Sequence, residues 1–245
     1  LSITEQLKEG MARLGQRYGA SRFIAYFQSF SNTYAPVDTL RALYHEALAN
    51  PLVVGLSIGT RPDCLSPEIL DLLADLARDR LLWLELGLQS AHDDTLKRLN
   101  RGHDAACFTH AVKSAAHRNL EVVAHVILGL PGEGPEDMAA TARYLSRLPV
   151  QGVKIHLLYV VRGSALEGLY RSGDYRPLEE EEYVRLVADF LELLPTNLII
   201  HRLTGDPHPG ELVAPEWCRH KSRVLTAIRE ELARRGSRQG SRWEG

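Results

Sequence analysis

Stretches with helical periodicity alternate along the chain with short apolar runs that favour β-strands. Apolar residues recurring every three or four positions predict amphipathic helices at 2–17, 37–48, 66–76 and 104–118, one beginning near 135, and another at 179–194. Strand-like runs fall between them at 22–28, 52–59, 82–90, 121–130, 153–161 and 197–203. Strands that alternate with helices favour right-handed crossovers and a parallel sheet. The sequence therefore predicts an α/β fold.

In several of these strands one parity of positions is small or polar, and the other is apolar. Residues Glu85, Gly87 and Gln89 alternate with leucines, and Gly55, Ser57 and Gly59 form a similar row in an earlier strand. Parallel strands in an ordinary doubly wound sheet are apolar on both faces. A polar inner face fits a curved sheet that is covered by helices outside and lines a cavity inside. With five or six strands, the prediction is an open, partial (β/α) barrel.

The predicted strands end in segments rich in hydroxyl, amide and glycine positions. These segments read FQSFSNTY (27–34), GTRPD (59–63), GLQS (87–90) and GLPGEG (129–134). Ligands of parallel α/β folds bind at the carboxyl ends of the strands. We therefore expect the functional site at this edge.

Among these polar positions Glu85 is the one that most needs a partner, since it lies in the middle of a strand. A buried carboxylate without a partner is costly. Its sequence context leaves two interpretations open, which are a structural ion pair with Lys154 or Arg61 and a role in binding a ligand.

Three histidines on separate predicted strands suggest an alternative chemistry. His125, His156 and His201 could meet inside a barrel, and imidazoles are common zinc ligands. A metal held by His125, His156 and Glu85 would make the protein a metal-dependent hydrolase. A single histidine on a strand is more often a hydrogen-bonded core residue, and none of these three belongs to a His-x-His or Asp-x-His pair that would support a metal.

Composition excludes some functional classes and suggests one more. The 245 residues carry a formal charge of −2, so their overall charge does not indicate nucleic acid. The stretch 219–242 is rich in arginine; we expect a solvated helix and a frayed tail there, and the alternative is a non-catalytic module that binds RNA or a protein. No apolar run is long enough for a membrane span and no secretory signal is present, so a cytoplasmic protein is expected.

Two long motifs resemble a known enzyme superfamily. ELGLQSAHDDTLKRLNRGHD and HVILGLPGE resemble the fourth and fifth strands of radical S-adenosylmethionine (SAM) enzymes, in the branch of the Elongator catalytic subunit and oxygen-independent coproporphyrinogen oxidase. FIAYFQSFSNTYAP, VGLSIGTRPDCL and LVAPEWC narrow the resemblance to YhcC-like proteins. The resemblance implies a partial (β/α) barrel that uses SAM and a [4Fe-4S] cluster to make a 5′-deoxyadenosyl radical. A flavodoxin or ferredoxin would supply the electron, and the substrate would be an unidentified small molecule or RNA.

The resemblance also implies which residues contact SAM. Gln28, Ser29 and Ser31 fall where relatives contact the methionine part, while Gln89 and Arg101 fall at positions that contact the ribose and carboxylate. The backbone near Leu158 would face the adenine.

Two positions depart from the family pattern. Gly59 replaces a glutamate of the third family strand, and His125 replaces an aspartate of the fifth. Glu85 or His125 could take over the ribose contact.

The cysteines depart furthest from the family pattern. A [4Fe-4S] cluster needs three closely spaced cysteines, whereas Cys64, Cys107 and Cys218 are far apart. They also lack the spacing of a zinc site or a disulfide framework. We therefore predict that the chain itself contains no metal ligand. The loop that binds the cluster, with the first strand of the barrel, would either precede Leu1 or have been lost from the protein. The chain alone would then be inactive, with a barrel core at 1–203 and a carboxyl-terminal extension at 204–245.

Overall fold

The computed structural model describes residues 1–205, 207–208 and 210–245 of the chain. Its α-helices are α1 (Ile3–Tyr18), α2 (Val37–Leu48), α3 (Pro67–Ala77), α4 (Asp93–Arg98), α5 (Ala105–Ala116), α6 (Pro135–Ser146), α7 (Ala165–Ser172), α8 (Glu180–Glu192) and α9 (Lys221–Arg234). Its strands are β1 (Phe23–Phe27), β2 (Val53–Thr60), β3 (Leu81–Gln89), β4 (Glu121–Leu128), β5 (Gly152–Leu157), β6 (Val160–Val161), β7 (Ile199–Arg202) and β8 (Leu212–Ala214). Short 3₁₀ helices cover Pro62–Cys64 and Glu216–Arg219. The predicted helices and strands are therefore present with ends that differ by a few residues, except that the predicted strand 153–161 is divided into β5 and β6.

The main sheet has the strand order β1-β2-β3-β4-β5-β7. The pairs β1–β2, β2–β3 and β5–β7 are parallel, as expected for strands joined by helical crossovers. The remaining strands, β6 and β8, form a separate antiparallel pair. By their contacts the residues group into two compact units, of which the first comprises Leu1–Gly87 with Ala106–Val123 and the second Leu88–Ala105 with Ala124–Gly245. The proposed division of core and extension at residue 203 stays a prediction.

The first unit has its core between the apolar parity of its strands and the helices around them. Leu56, Ile58 and Leu84 are fully buried, and Tyr44 of α2 and Leu73 of α3 are equally enclosed. Each of these side chains contributes about 1.5–3 kcal/mol when it is removed from water. This core holds the strand ends in place and so positions the site.

Helix α1 begins as its sequence predicts. The hydroxyl of Ser2 accepts a hydrogen bond from the N–H of Glu5, and the Glu5 carboxylate accepts one from the N–H of Ser2 at 2.7 Å. This reciprocal capping box satisfies two of the amide groups that a helix start leaves unpaired.

One predicted strand is divided in the structure. The run 153–161 was expected to form a single strand, but β5 ends at Leu157 and β6 begins at Val160 in the other sheet. The N–H of Leu158 still donates to the carbonyl of Leu128 at 2.9 Å, and Val160 then lies opposite Ala214 of β8. The apolar pattern continues across the break because Val160 is buried in a small cluster with Tyr175 and Ala214.

The expectation of a frayed carboxyl-terminal tail was wrong. After α9, the N–H groups of Gly240 and Arg242 donate to the carbonyls of Leu191 and Glu192 at 3.1 and 2.9 Å. Several arginines of this stretch form ion pairs with acidic residues, and the pairs are Arg219–Glu216, Arg223–Glu180, Arg234–Glu231, Arg235–Asp189, Arg235–Glu192 and Arg242–Glu192. This pairing compensates much of the positive charge on which the RNA-binding alternative rested.

Within the residues that the structure describes, no helix combines the length and the apolar character needed to cross a bilayer.

Candidate functional site

Three of the predicted cofactor contacts follow the carboxyl end of β1. Gln28 and Ser29 are exposed and Ser31 is half-buried. Gln28 and Ser29 also line a pocket of about 340 Å³ in the first unit, together with Tyr26, Asn32 and residues of α1. The structure therefore brings Gln28 and Ser29 to one accessible pocket, with Ser31 nearby in sequence but outside its lining.

Asn32 fixes the backbone of this loop. Its side-chain amide donates to the carbonyls of Phe27 at 3.0 Å and Gly59 at 2.8 Å, so it joins the ends of β1 and β2. Its own carbonyl accepts a hydrogen bond from the phenol of Tyr44 at 2.6 Å. Burial raises the pKa of Tyr44 well above its ordinary value, so this phenol stays a hydrogen-bond donor.

Glu85 lies on β3 opposite Gly59 of β2 and is 1% exposed. The phenol of Tyr26 donates to its Oε2 at 2.8 Å, and the hydroxyl of Ser57 donates to its Oε1. The carboxylate is therefore enclosed in a hydrogen-bonded network that spans three strands. Arg61, one of the ion-pair partners considered for it, pairs with Asp63.

Cys64 is the cysteine nearest to this loop. Burial and the charge of Asp63 raise the pKa of its thiol, and they outweigh the opposing effects of Arg61 and of the hydroxyl of Ser31. The other thiols are at Cys107 and Cys218. No group of three or more histidines, cysteines or acidic residues suited to a metal ion occurs among the described residues. The cysteines present therefore do not fit a [4Fe-4S] cluster.

The other predicted contacts lie in the second unit, beginning with Gln89 at the end of β3. Gln89 has a φ of +71°, which turns the chain sharply out of the strand. The next residue, Ser90, is fully buried and its hydroxyl donates to the carboxylate of Glu133. The N–H of His92 donates to the same hydroxyl oxygen at 3.0 Å. These bonds join the loop after β3 to the loop after β4.

A second connection between these loops runs through Arg98. Its guanidinium donates to the carbonyl of Pro131, and it fills the space beside Gly132. Arg101 follows three residues later and is half-buried. Its N–H donates to the carbonyl of Leu96 at 2.9 Å, which places Arg101 at the end of α4.

His125 of β4 and His156 of β5 stack with their ring centroids 5.1 Å apart and their planes tilted by 31°. Both side chains are half-buried. The geometry is an aromatic contact between neighbouring strands. Neither histidine belongs to a group of three or more metal-binding side chains among the described residues, so the structure gives no support to the hydrolase alternative.

The backbone beyond β5 has limited hydrogen-bonding capacity left for a ligand. The N–H of Leu158 donates to the carbonyl of Leu128 at 2.9 Å, so this amide is already engaged. The carbonyl of Gly129 accepts from the buried phenol of Tyr175 at 3.0 Å. Burial raises the pKa of Tyr175 to about 12, so the phenol remains protonated and keeps this bond.

Sequence reasoning placed Ser57 in the polar row of the inner face but did not identify its bond to Glu85, and it missed two further residues that organise the site. Tyr26 and Asn32 had no such signal, because a tyrosine in a strand and an asparagine in a turn are ordinary residues.

Comparison with known proteins identifies the family of the chain. Residues 2–145 match the Radical SAM superfamily, and residues 150–234 match the Radical_SAM C-terminal domain. The uncharacterized protein MJ0486 of Methanocaldococcus jannaschii is 42% identical over 245 residues, which are 99% of this chain and 76% of that protein. YhcC of Escherichia coli K12 is 40% identical over 221 residues, which are 90% of this chain and 71% of YhcC.

A solved structure shows the fold. An archaeal Elp3 of Methanocaldococcus infernus with an amino-terminal deletion superimposes with a TM-score of 0.81 at 18% identity, over 97% of this chain and 60% of that one. This similarity confirms the predicted partial (β/α) barrel. The chain spans 76% and 71% of the two relatives and less than two thirds of the Elp3 chain. The resemblance found in its motifs is confirmed, and the chain belongs to the radical SAM superfamily, with YhcC-like proteins among its relatives.

Proposed function

We propose that this chain is the greater part of a radical SAM enzyme and contains most of its cofactor-binding face. One observation carries the proposal: the polar residues at the ends of β1 and β3 belong to a barrel of this superfamily. The chemistry that SAM supplies in the family is a 5′-deoxyadenosyl radical, released on one-electron reduction, which removes a hydrogen atom from the substrate. The protein contributes binding, orientation and exclusion of water.

In this proposal Gln28, Ser29 and Ser31 hold the methionine part of SAM. Their hydroxyl and amide groups suit its amino and carboxylate ends, because both ends need several hydrogen bonds. Asn32 keeps the loop in shape by bonding to Phe27 and Gly59, so little ordering of the backbone is needed when the ligand binds.

Gln89 and Arg101 take the ribose and carboxylate side of SAM. A guanidinium can form two parallel hydrogen bonds with a carboxylate, and an amide can donate to or accept from a ribose hydroxyl. His125 remains the candidate for the ribose position at which relatives have an acidic residue. The carbonyl of Leu158 is the backbone group for the adenine amine.

Glu85 acts in the same proposal through its neighbours. Its carboxylate accepts from Tyr26 and Ser57 and is almost completely enclosed, which fits a role in orienting Tyr26 beside the Gln28–Ser29 pocket. A direct contact with the ribose would use one of the carboxylate lone pairs that Tyr26 and Ser57 leave over.

The cluster, the reductant and the substrate lie beyond these residues. We propose that cysteines outside the 245 residues hold the [4Fe-4S] cluster, and that a flavodoxin or ferredoxin of the cytoplasm supplies the electron. The substrate is either a small molecule or RNA.

The first test uses the protein expressed with its natural upstream coding sequence. It is purified without oxygen, reconstituted with iron and sulfide, and assayed for 5′-deoxyadenosine formed from SAM in the presence of dithionite. Reductant-dependent product supports the proposal. Inactive, iron-free protein whose upstream segment lacks clustered cysteines would contradict it.

A second test addresses the binding residues separately from turnover. In the reconstituted protein, the Gln89→Ala/Arg101→Ala variant should bind SAM at least tenfold more weakly by equilibrium dialysis. The matched control is Gln16→Ala/Arg13→Ala, which changes the same residue types on the exposed side of α1. Equal affinity of the two variants would refute the assignment of Gln89 and Arg101.

A further inference from the structure

A separate pocket of about 430 Å³ lies in the second unit, between the end of α6 and the carboxyl-terminal residues. Arg143 of α6 and Arg147, the residue that follows this helix, line one side, and Arg242 with Trp243 lines the other. The acidic residue among the lining side chains is Glu244. The pocket is therefore cationic in a protein whose formal charge is −2, and its volume falls in the range of about 300–1,000 Å³ that small-ligand sites occupy.

The wall that carries Trp243 is anchored. The N–H of Arg242 donates to the carbonyl of Glu192 at 2.9 Å, and the N–H of Trp243 donates to the carbonyl of Gly240 at 3.2 Å. Gly240 has a φ of +81° and lies so close to Thr196 that a Cβ at this position would come within 2.5 Å of its methyl group. The turn is thus fitted against the end of α8, and it holds an indole that is 40% exposed.

The arginines differ in how strongly they are already engaged. Among the described residues, Arg147 makes no side-chain hydrogen bond or ion pair. Arg143 pairs with Glu136, whose side chain is 84% exposed, so water screens the pair and a ligand can compete for the guanidinium. Arg242 contacts Glu192 at 3.4 Å, which positions it at the pocket wall.

This combination points to a ligand with a phosphate at one end and an aromatic ring at the other. Planar guanidinium groups match phosphate oxygens through pairs of hydrogen bonds. An exposed indole offers a stacking face to a base, and such stacking tolerates any base because every base has a π-face. We propose that this pocket binds a nucleoside phosphate, with Arg147 and Arg143 at the phosphate and Trp243 against the base.

The test follows Trp243 directly in the 245-residue protein. The three tryptophans are labelled with 5-fluorotryptophan, and the Trp243 fluorine signal is assigned with the variant Trp243→Phe. Titration with AMP should shift this signal saturably and leave those of Trp83 and Trp217 in place. Sodium pyrophosphate, which has only the phosphate groups, and adenosine, which has only the nucleoside, should each bind at least tenfold more weakly than AMP.

A 5′-phosphorylated oligoadenylate that binds at least tenfold more tightly than AMP would identify a nucleotide within a strand as the ligand. Equal affinity of the oligoadenylate and AMP would identify a free nucleotide.

The matched pair of variants is Arg147→Ala and Arg13→Ala, since both arginines are exposed; Arg13 lies within α1 and Arg147 directly follows α6. Arg147→Ala should weaken AMP binding at least tenfold, and Arg13→Ala should leave it unchanged. A Trp243 signal that does not move at millimolar AMP would overturn the proposal, as would unchanged binding by Arg147→Ala. Pyrophosphate that binds as well as AMP would overturn the stacking role of Trp243.

Discussion

The phenol of Tyr26 donates a 2.8 Å hydrogen bond to Glu85, a carboxylate 59 residues further along the chain that is 1% exposed. Ser57 supplies a second hydroxyl to the same carboxylate from the strand between them. An unpaired carboxylate at this depth would cost several kcal/mol. The polar row in the middle of these strands is therefore a connected network, and the accessible polar groups lie beyond it at the strand ends.

Replacing Tyr26 with phenylalanine should destabilise the protein by about 1–2 kcal/mol, because Glu85 loses one of its charged hydrogen bonds. Urea unfolding at pH 7 measures the change. The control is Tyr34→Phe, which alters a tyrosine whose side chain is 83% exposed and should change the free energy of unfolding by less than about 0.5 kcal/mol. Similar losses in the two variants would mean that the Tyr26–Glu85 bond contributes little.

How much of this arrangement is predictable from sequence depends on how far apart the partners lie. Alternation within β3 places Glu85 on the polar face, and this needs only neighbouring residues. Its partners Tyr26 and Ser57 lie on two other strands, so identifying them requires the strand register, which the periodicity of one strand does not contain.

The same limit explains the two errors in the fold. The break after Leu157 depends on pairing between Val160 and Ala214, 54 positions later, and the residues 153–161 themselves contain no glycine or proline that would mark it. The order of the tail depends on Arg235 and Arg242 meeting Glu192 of α8. The arginine-rich composition of the tail predicted a solvated segment, because composition alone does not reveal a distant partner such as Glu192.

Gly132 should not tolerate alanine. Its φ is +84°, where a Cβ costs roughly 1–2 kcal/mol, and that Cβ would also lie 2.0 Å from Nη1 of Arg98. We expect Gly132→Ala to lower the free energy of unfolding by about 1–2 kcal/mol, measured in urea. Gly10→Ala is the control, and it should change the free energy of unfolding in the opposite direction. Gly10 lies inside α1 with open space around it, so alanine there should stabilise the protein by about 0.5–1 kcal/mol.

The double variant Arg98→Ala/Gly132→Ala separates the two causes at Gly132. Removing the flexible guanidinium relieves the contact but leaves the backbone strain, so most of the loss should persist. Full recovery of stability in the double variant would show that the clash with Arg98 dominates.

Cys218 should be the least reactive of the three thiols. It is 1% exposed, its thiol lies 3.0 Å from the carbonyl of Pro215, and burial raises its pKa to about 11. Iodoacetamide reacts with thiolates, so at pH 7.5 the native protein should be modified at Cys218 far more slowly than at Cys107, as read by peptide mass spectrometry. In urea the two should react alike. Native Cys218 that reacts as fast as unfolded Cys218 would show that this segment opens readily.

The attachment of the tail should weaken in acid. Burial tends to raise the pKa of Glu192, but Ser237, Arg235 and Arg242 outweigh it and lower that pKa overall. Hydrogen bonds from Arg234 and Arg235 lower the pKa of Glu231 to about 2. A carboxylate whose folded pKa is depressed stabilises fully above its unfolded value of about 4.3 and loses this contribution as the pH falls through the folded value. The ion pairs should therefore hold the tail at neutral pH and release it between about pH 4 and pH 2.

Limited pepsin digestion and amide hydrogen exchange between pH 4.5 and pH 2 provide the measurement, because both report on the order of residues 235–243. Cleavage and exchange should increase in this segment before the rest of the second unit unfolds. In Glu192→Gln the segment should already be less protected at pH 7, since the charge that faces Arg235 and Arg242 is gone, and its protection should change less with pH. Glu9→Gln, at an exposed position of α1, should behave like the unsubstituted protein. Protection of 235–243 that is the same in both variants at every pH would show that the backbone bonds from Gly240 and Arg242 hold the tail without help from Glu192.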